Sequence, residues 1–224
     1  MLIPSIDLMG GKIVQLVQGS RKELEFDNFE EWIERFSKYP LVQVIDLDAA
    51  MGQGQNRKLV KELATRLPCQ VGGGIRTIDA AGTILRDGAR RVIFGSALIS
   101  QGRVDCSFAR QAAEELGVEK IVAAVDSRAG KVAVKGWTQI SEIRAADMVR
   151  LLEPYCTAFL YTHIDTEGLL AGIPLDVIRE LRRVTSRQLI AAGGIRSEEE
   201  IAHLDTIGVD AVVGMAIYRG LIPA

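Results

Sequence analysis

The chain repeats itself at half its length. Gly72-Gly73-Gly74-Ile75-Arg76 returns as Gly193-Gly194-Ile195-Arg196. Val92-Ile93-Phe94-Gly95-Ser96-Ala97-Leu98-Ile99 returns as Val212-Val213-Gly214-Met215-Ala216-Ile217-Tyr218. An Asp closes an apolar run at Asp7 and again at Asp126. The offset is 119 residues for the two acids and for Gly95/Gly214, and 120 for Arg76/Arg196. Duplication of one acid and two glycine clusters predicts a scaffold of two similar halves. It also predicts a ligand with two like ends and a pair of carboxylates facing each other between them.

A length of 224 residues fits one large domain or two smaller ones, and either buries a core. No linker of Pro and Ser and no charge run separates the halves, so we read one domain, with half-barrels at about 1–117 and 118–224. The net charge is −2, from 27 basic and 29 acidic residues, which gives no nucleic-acid signature. No apolar run approaches the roughly 18 residues of a membrane span, and the N-terminus carries no basic-then-apolar leader. Cys69, Cys106 and Cys156 are odd in number and lack metal-ligand spacing, so they read as reduced thiols of a cytoplasmic protein. The two histidines, His163 and His203, are far apart, and no metal or cofactor is expected.

Short apolar runs alternate with amphipathic stretches throughout. Strands are expected at Leu2–Asp7, Leu41–Leu47, Cys69–Val71, Arg91–Phe94, Ile121–Val125, Ala158–Tyr161, Gln188–Ala191 and Ala211–Val213. These runs are continuous more than alternating, as parallel strands covered on both faces require. Helices are expected at Phe29–Tyr39, Arg57–Arg66, Ile78–Asp87, Ser107–Leu116, Arg144–Glu153, Leu175–Val184 and Ser197–Ile207. Ser197 followed by three glutamates is a good helix start. Gly88 and Gly208 suit helix C-termini. A doubly wound sheet would show a glycine fingerprint after its first strand, and nothing of that kind follows Asp7. The expected fold is therefore α/β, a (β/α)8 TIM barrel, whose functional residues sit at the C-terminal ends of its strands.

Asp7, Asp126 and the glycine clusters all fall at such ends. Gly73, Gly74, Gly95 and Ser96 in the first half, and Gly193, Gly194, Gly214 and Met215 in the second, are read as two phosphate cradles. Arg76 is a plausible ligand contact beside the first. Asp7 and Asp126 are read as a pair that divides acid and base roles across a substrate. Asp46, Asp48 and Asp165 are strand-end acids too, and for these loop capping or a supporting role is the better reading. Trp137, in the loop after strand five, is read either as a lid that stacks on a flat ligand or as a packing residue. Thr162 is read as a substrate contact or as a satisfied strand-end hydroxyl. Strand alternation turns His163, its neighbour, the other way.

Together these residues resemble the phosphoribosylformimino-aminoimidazole carboxamide ribotide isomerases of histidine biosynthesis. The resemblance is carried by Ile3-Pro4-Ser5-Ile6-Asp7-Leu8 with Gly11-Lys12, Leu16-Val17-Gln18-Gly19, Asp46-Leu47-Asp48-Ala49-Ala50, Gln70-Val71-Gly72-Gly73-Gly74-Ile75-Arg76, Gly136-Trp137 and Ala192-Gly193-Gly194-Ile195. It implies an Amadori rearrangement, the aldose-to-ketose isomerisation of a small molecule bearing a phosphate at each end, without cofactor. It implies Asp7 and Asp126 as the catalytic pair, assisted by Thr162, and Gly19 and Gly168 among the substrate-binding residues. We assign Asp126 as general acid on the ribose ring oxygen and Asp7 as general base at C2; the sequence leaves the reverse assignment open. A cytoplasmic monomer or weak homo-oligomer is expected.

The chain departs from the family pattern in four places. Its first loop, Ser20-Arg21-Lys22-Glu23, is short and basic. Gln15 stands where an Arg is usual. The segment Gly168–Pro174 lacks the usual Thr and Asn. No final helix is evident after Tyr218, so the C-terminal helix reads as truncated. Three other readings compete. A dual-substrate isomerase that also takes phosphoribosylanthranilate, a subgroup that the Ala49-Ala50-Met51-Gly52-Gln53-Gly54 stretch resembles too, would use Lys135 to meet a carboxylate. The related cyclase is disfavoured by Ser5 and Ile6. A barrel that binds phosphate ligands without catalysis would have no need of two opposed carboxylates.

Overall fold

A computed structural model describes residues 1–224. Eight parallel strands form the barrel: β1 (Leu2–Met9), β2 (Val42–Asp46), β3 (Cys69–Gly72), β4 (Arg91–Phe94), β5 (Ile121–Arg128), β6 (Ala158–His163), β7 (Gln188–Ala192) and β8 (Val209–Val213). Each pairs with its neighbours in chain order; β8 returns to β1 through Ile3 beside Val212, and β4 joins β5 through Ile93 beside Val122. Closure leaves the ring without a free edge. Around it lie α1 (Phe29–Phe36), α2 (Arg57–Arg66), α3 (Ile78–Arg86), α4 (Cys106–Leu116), α5 (Ala145–Leu152), α6 (Leu175–Val184), α7 (Glu198–Thr206) and the four-residue α8 (Met215–Tyr218). The expected strands and helices all form, most with ends moved by one or two residues. This is the (β/α)8 TIM barrel.

Alternation along each strand divides the apolar residues into two cores. Ile6 and Leu8 of β1, Phe159 and Tyr161 of β6 and their equivalents face the helices in one cluster of 48 buried residues. Ile3, Ile93, Val122, Leu160, Ile190 and Val212 fill the barrel interior. The helices meet the sheet through one apolar stripe each, such as Trp32, Ile33 and Phe36 of α1 or Ile178 and Leu181 of α6. Ser197 caps α7 by accepting from the Glu200 amide, as its sequence predicts.

Two hairpins absent from the sequence reading rise over the C-terminal end of the barrel. Lys12–Val17 pairs with Arg21–Phe26 after β1, and Lys131–Val134 pairs with Gln139–Arg144 after β5. What reads as a short first loop is thus one turn residue, Ser20, and the start of the hairpin's second strand. After β8 the chain forms α8, and Tyr218 enters an aromatic cluster with Phe26, Trp32 and Phe36. Ile222 beyond it is buried in the outer core. This cluster packs α8 against α1 and the first hairpin. No helix of the chain is long and apolar enough to cross a membrane.

The opposite end of the barrel is closed by polar side chains. Arg91 donates to Gln188 Oε1 at 2.6 Å and to Gln70 Oε1 at 2.7 Å. Gln70 donates to Gln43 at 2.9 Å, and Gln188 donates to Asp210 at 2.6 Å. One guanidinium therefore links inward-facing amides on both sides of the barrel. Replacement by Ala would leave the buried Gln70 oxygen and the half-buried Gln188 oxygen without this donor. Arg91→Ala is expected to lower unfolding free energy by about 2–4 kcal/mol, read as a shifted urea midpoint at constant slope. A loss under about 0.5 kcal/mol would show that water satisfies the network instead.

Candidate functional site

The C-terminal end of the barrel opens into one deep pocket. Of the residues singled out from sequence, Asp7, Gly19, Gly73, Gly74, Arg76, Gly95, Ser96, Asp126, Trp137, Thr162, Gly168, Gly193, Gly194, Gly214 and Met215 all line it. Lys135 does not: its side chain is exposed, and its backbone amide donates to Ser96 Oγ at 2.9 Å. His163 faces away, its Nδ1 2.9 Å from Thr166 Oγ1. Asp46 is buried and accepts from the Ala49 amide and from the Asn56 amide and side chain. Asp48 accepts from the Gly10 amide, and Asp165 from the Ala129 amide. These three acids cap loops rather than line the pocket.

Asp7 and Asp126 come from β1 and β5, four strands apart in a ring of eight, and so face each other across it. On β1 the inward column runs Ile3, Ser5, Asp7, from the apolar interior to the pocket floor. On β5 it runs Val122, Ala124, Asp126. Burial pushes the Asp7 carboxyl up to about 6, against the opposing pull of the Ser5 hydroxyl, which donates to Oδ1 at 2.8 Å. Burial also raises Asp126, while the Trp137 indole, donating to Oδ2 at 2.8 Å, and the Thr162 hydroxyl pull it down. Thr162 lies beside Asp126 in the register of β6 on β5.

Trp137 sits at the turn of the second hairpin. Lys135, Gly136 and Trp137 have φ of 54°, 62° and 67°, a left-handed run that a bulky residue adopts only when its surroundings hold it there. Two partners do so: Asp126, and Gly19 at the tip of the first hairpin, where a Cβ would lie 2.5 Å from the indole ring. The Trp137 ring therefore bridges the two hairpins above the acids.

The glycine turns match between halves. Gly73 and Gly193 have φ of 97° and 100°, and a Cβ would come within 2.2 Å of the Asp46 carbonyl or 2.5 Å of the His163 carbonyl. Only glycine lets each loop close on the one before it. Gly95 and Gly214 share φ near −115° and −112° with ψ of −100° and −89°, each opening a helical turn whose first amides have no earlier carbonyl to bond. The Gln15 amide, buried, lies against Gly214. Arg76 reaches the Ala50 carbonyl at 3.2 Å at the rim, whereas Arg196 turns back to Glu200.

One wall residue went unnoticed in the sequence. Glu167, after β6, is pushed up to about 8, chiefly by burial and then by the charges of Asp7 and Asp126. Its signal was adjacency: it precedes Gly168 at a strand end. Ser5 was equally legible, two residues before Asp7 on the same face of the same strand.

The family model described as "Histidine biosynthesis protein" matches residues 1–223. A 1-(5-phosphoribosyl)-5-((5-phosphoribosylamino)methylideneamino) imidazole-4-carboxamide isomerase of Methanocaldococcus jannaschii is 37% identical, covering 99% of this chain and 94% of its own. Isomerases of the same name from Methanosphaera stadtmanae and Methanothermobacter thermautotrophicus are each 36% identical over 99% of this chain and 95% of theirs. The chain belongs to the histidine biosynthesis protein family.

Proposed function

We propose that the protein is an intramolecular aldose–ketose isomerase, converting the phosphoribosylformimino-aminoimidazole carboxamide ribotide of histidine biosynthesis to its phosphoribulosyl isomer. The observation that carries this reading is the opposed pair, Asp7 and Asp126, both with raised pKa, set between two matched glycine turns in a single pocket. The relatives at 36–37% identity are named for the same reaction.

In this reading the turns at Gly73-Gly74 with Gly95-Ser96, and at Gly193-Gly194 with Gly214-Met215, each hold one phosphate. Such two-point anchoring fixes the reacting ribose between the acids and removes most of the orientational entropy from the barrier. Asp126, its carboxyl raised by burial, gives its proton to the ring oxygen. The C1–O bond breaks and its electrons go to that oxygen, leaving a protonated Schiff base between C1 and nitrogen. Asp7 takes the proton from C2, and those electrons form the C1–C2 double bond of an enaminol. Loss of the 2-hydroxyl proton and protonation at C1 give the aminoketose. A base near pKa 6 is ionised at neutral pH yet still basic enough to accept a carbon-bound proton.

Thr162 holds Asp126 in place. Trp137 is in position to cover a flat imidazole once a ligand displaces its bond to Asp126. Gly19 and Gly168 let the first hairpin and the loop after β6 close over the pocket. Glu167 stays neutral at pH 7, which keeps a third negative charge away from the two aspartates and the incoming phosphates. The setting of this reading is a cytoplasmic enzyme, monomeric or weakly associated, that uses no metal or cofactor and binds no nucleic acid. The dual-substrate reading rested on Lys135, whose side chain lies outside the pocket wall, and on the Ala49–Gly54 stretch, of which Ala50 and Met51 line it.

Asp7→Asn and Asp126→Asn are each expected to cut kcat at least 1000-fold while substrate still binds, read by steady-state kinetics and calorimetry. Full turnover in either variant contradicts the acid–base pair. In the wild type, kcat/KM falls with acidity below a midpoint near 6, because Asp7 must be ionised to act as base; a flat profile from pH 5 to 8 removes Asp7 from that role.

A raised pKa also has a consequence for folding. Unfolded Glu167 ionises near its ordinary 4.5, but folded Glu167 holds its proton to about 8. Its presence therefore destabilises the fold progressively as pH rises from 4.5 to 8, and the effect is complete above that. Glu167→Gln should leave Tm nearly unchanged at pH 4.5 and raise it increasingly up to pH 8.5, by scanning calorimetry. An equal shift at every pH would contradict the assignment.

A further inference from the structure

The two halves treat their acids differently. The 119-residue offset places Ala124 where Ser5 stands, and strand register sets Thr162 beside Asp126 as it sets Ile45 beside Asp7. All four line the pocket. In the second half, Asp126 has a hydroxyl beside it from the neighbouring strand, Thr162. In the first half the corresponding neighbour is Ile45, which has no hydroxyl to give. Asp7 takes its hydroxyl from two residues back on its own strand instead: Ser5 Oγ donates to Oδ1 at 2.8 Å. Alternation along β1 guarantees that approach, since residues two apart share a face.

Ser5 is itself held. Its side chain is buried, and its carbonyl accepts from the Tyr218 hydroxyl at 3.0 Å. Tyr218 in turn is locked among Phe26, Trp32 and Phe36. The chain of contact runs from the outer aromatic cluster through α8 to the backbone of β1.

Resting on the acid–base reading above, we propose that Ser5 is a positioning residue for Asp7: it occupies Oδ1, turns Oδ2 toward the substrate, and favours the ionised carboxylate. A hydrogen bond donated to a carboxylate stabilises its charged form. It also removes the rotational freedom that would let either oxygen, or neither, meet the C2 proton. Thr162 and Ser5 thus give each acid one hydroxyl, but only Asp126 receives the Trp137 indole as well. Symmetry of the scaffold is broken at both acids, by Ser5 at Asp7 and by Trp137 at Asp126.

The charged and titratable groups that face Asp7 are few. Glu167 comes from the loop after β6, Tyr218 from α8 and Asp126 from β5 across the pocket. Glu167 and the Tyr218 phenol are neutral at pH 6, because both are raised above it. A shift in Asp7 titration on removing Ser5 is therefore not inherited from them.

The test is carbon-13 titration of the Asp7 carboxyl in the free protein, assigned by its loss in Asp7→Asn, in wild type and Ser5→Ala. The midpoint should rise by about one pH unit in Ser5→Ala and return toward wild type in Ser5→Thr, which keeps the hydroxyl. In kinetics with the ribotide substrate, Ser5→Ala should lower kcat about tenfold at pH 6, with KM within twofold. If Ser5→Ala does not fold, Ser5→Cys, close in size and a weak donor, takes its place in the same titration. An unmoved midpoint with unmoved kcat overturns the proposal. The two readings separate cleanly: full activity in Asp7→Asn refutes the acid–base pair alone, while the titration judges Ser5 independently of turnover.

Discussion

Closure of eight parallel strands forces every second side chain into a common interior, and the rest of the molecule follows from that. The inward columns have three levels. At one end Arg91 ties Gln70 to Gln188. In the middle Ile3, Ile93, Val122, Leu160, Ile190 and Val212 exclude water. At the other end Asp7 and Asp126 stand above an apolar floor. The floor is why the acids are unusual. A carboxylate over hydrocarbon loses hydration it cannot recover, so the protonated form gains and the pKa rises. Fold and chemistry share a cause here: the layer that stabilises the barrel is the layer that perturbs the acids.

Symmetry supplies grip, and its breaking supplies direction. The glycine turns repeat in sequence and in backbone geometry, as the near-identical φ and ψ of Gly95 and Gly214 show. A ligand with like ends suits them. A proton, however, has to leave one acid and arrive at the other. The asymmetric groups lie around the acids: Ser5 where the second half has Ala124, Ile45 where it has Thr162, Trp137 on the second half alone, and Glu167 between the two. Each of these changes how much a carboxyl gains or loses by ionising.

Much of the architecture was legible in the sequence because parallel strands and their covering helices obey simple periods. Arg91–Phe94, Arg57–Arg66 and Leu175–Val184 form over the residues expected. The two hairpins were not legible: Lys12–Val17 and Lys131–Val134 read as loop because their partners are charged and exposed strands whose pairing is set by closure over the pocket. At the site, Asp7, Asp126 and the glycines announced themselves by repeating. Glu167 did not, because no Glu stands at the matching place in the first half. Lys135 was misplaced for a related reason. Proximity to Trp137 in sequence suggested the pocket, but the left-handed turn sends its side chain to solvent.

The central claim is that two phosphate sites in matched halves hold the ribose between Asp7 and Asp126. It is tested most directly by a crystal structure of the Asp7→Asn protein soaked with the ribotide substrate. The account predicts one phosphate at Gly73-Gly74 and Gly95-Ser96, the other at Gly193-Gly194 and Gly214-Met215, and the ribose C1 and C2 between residues 7 and 126. Both phosphates in one half, or a ribose lying away from the two carboxyl positions, would contradict it.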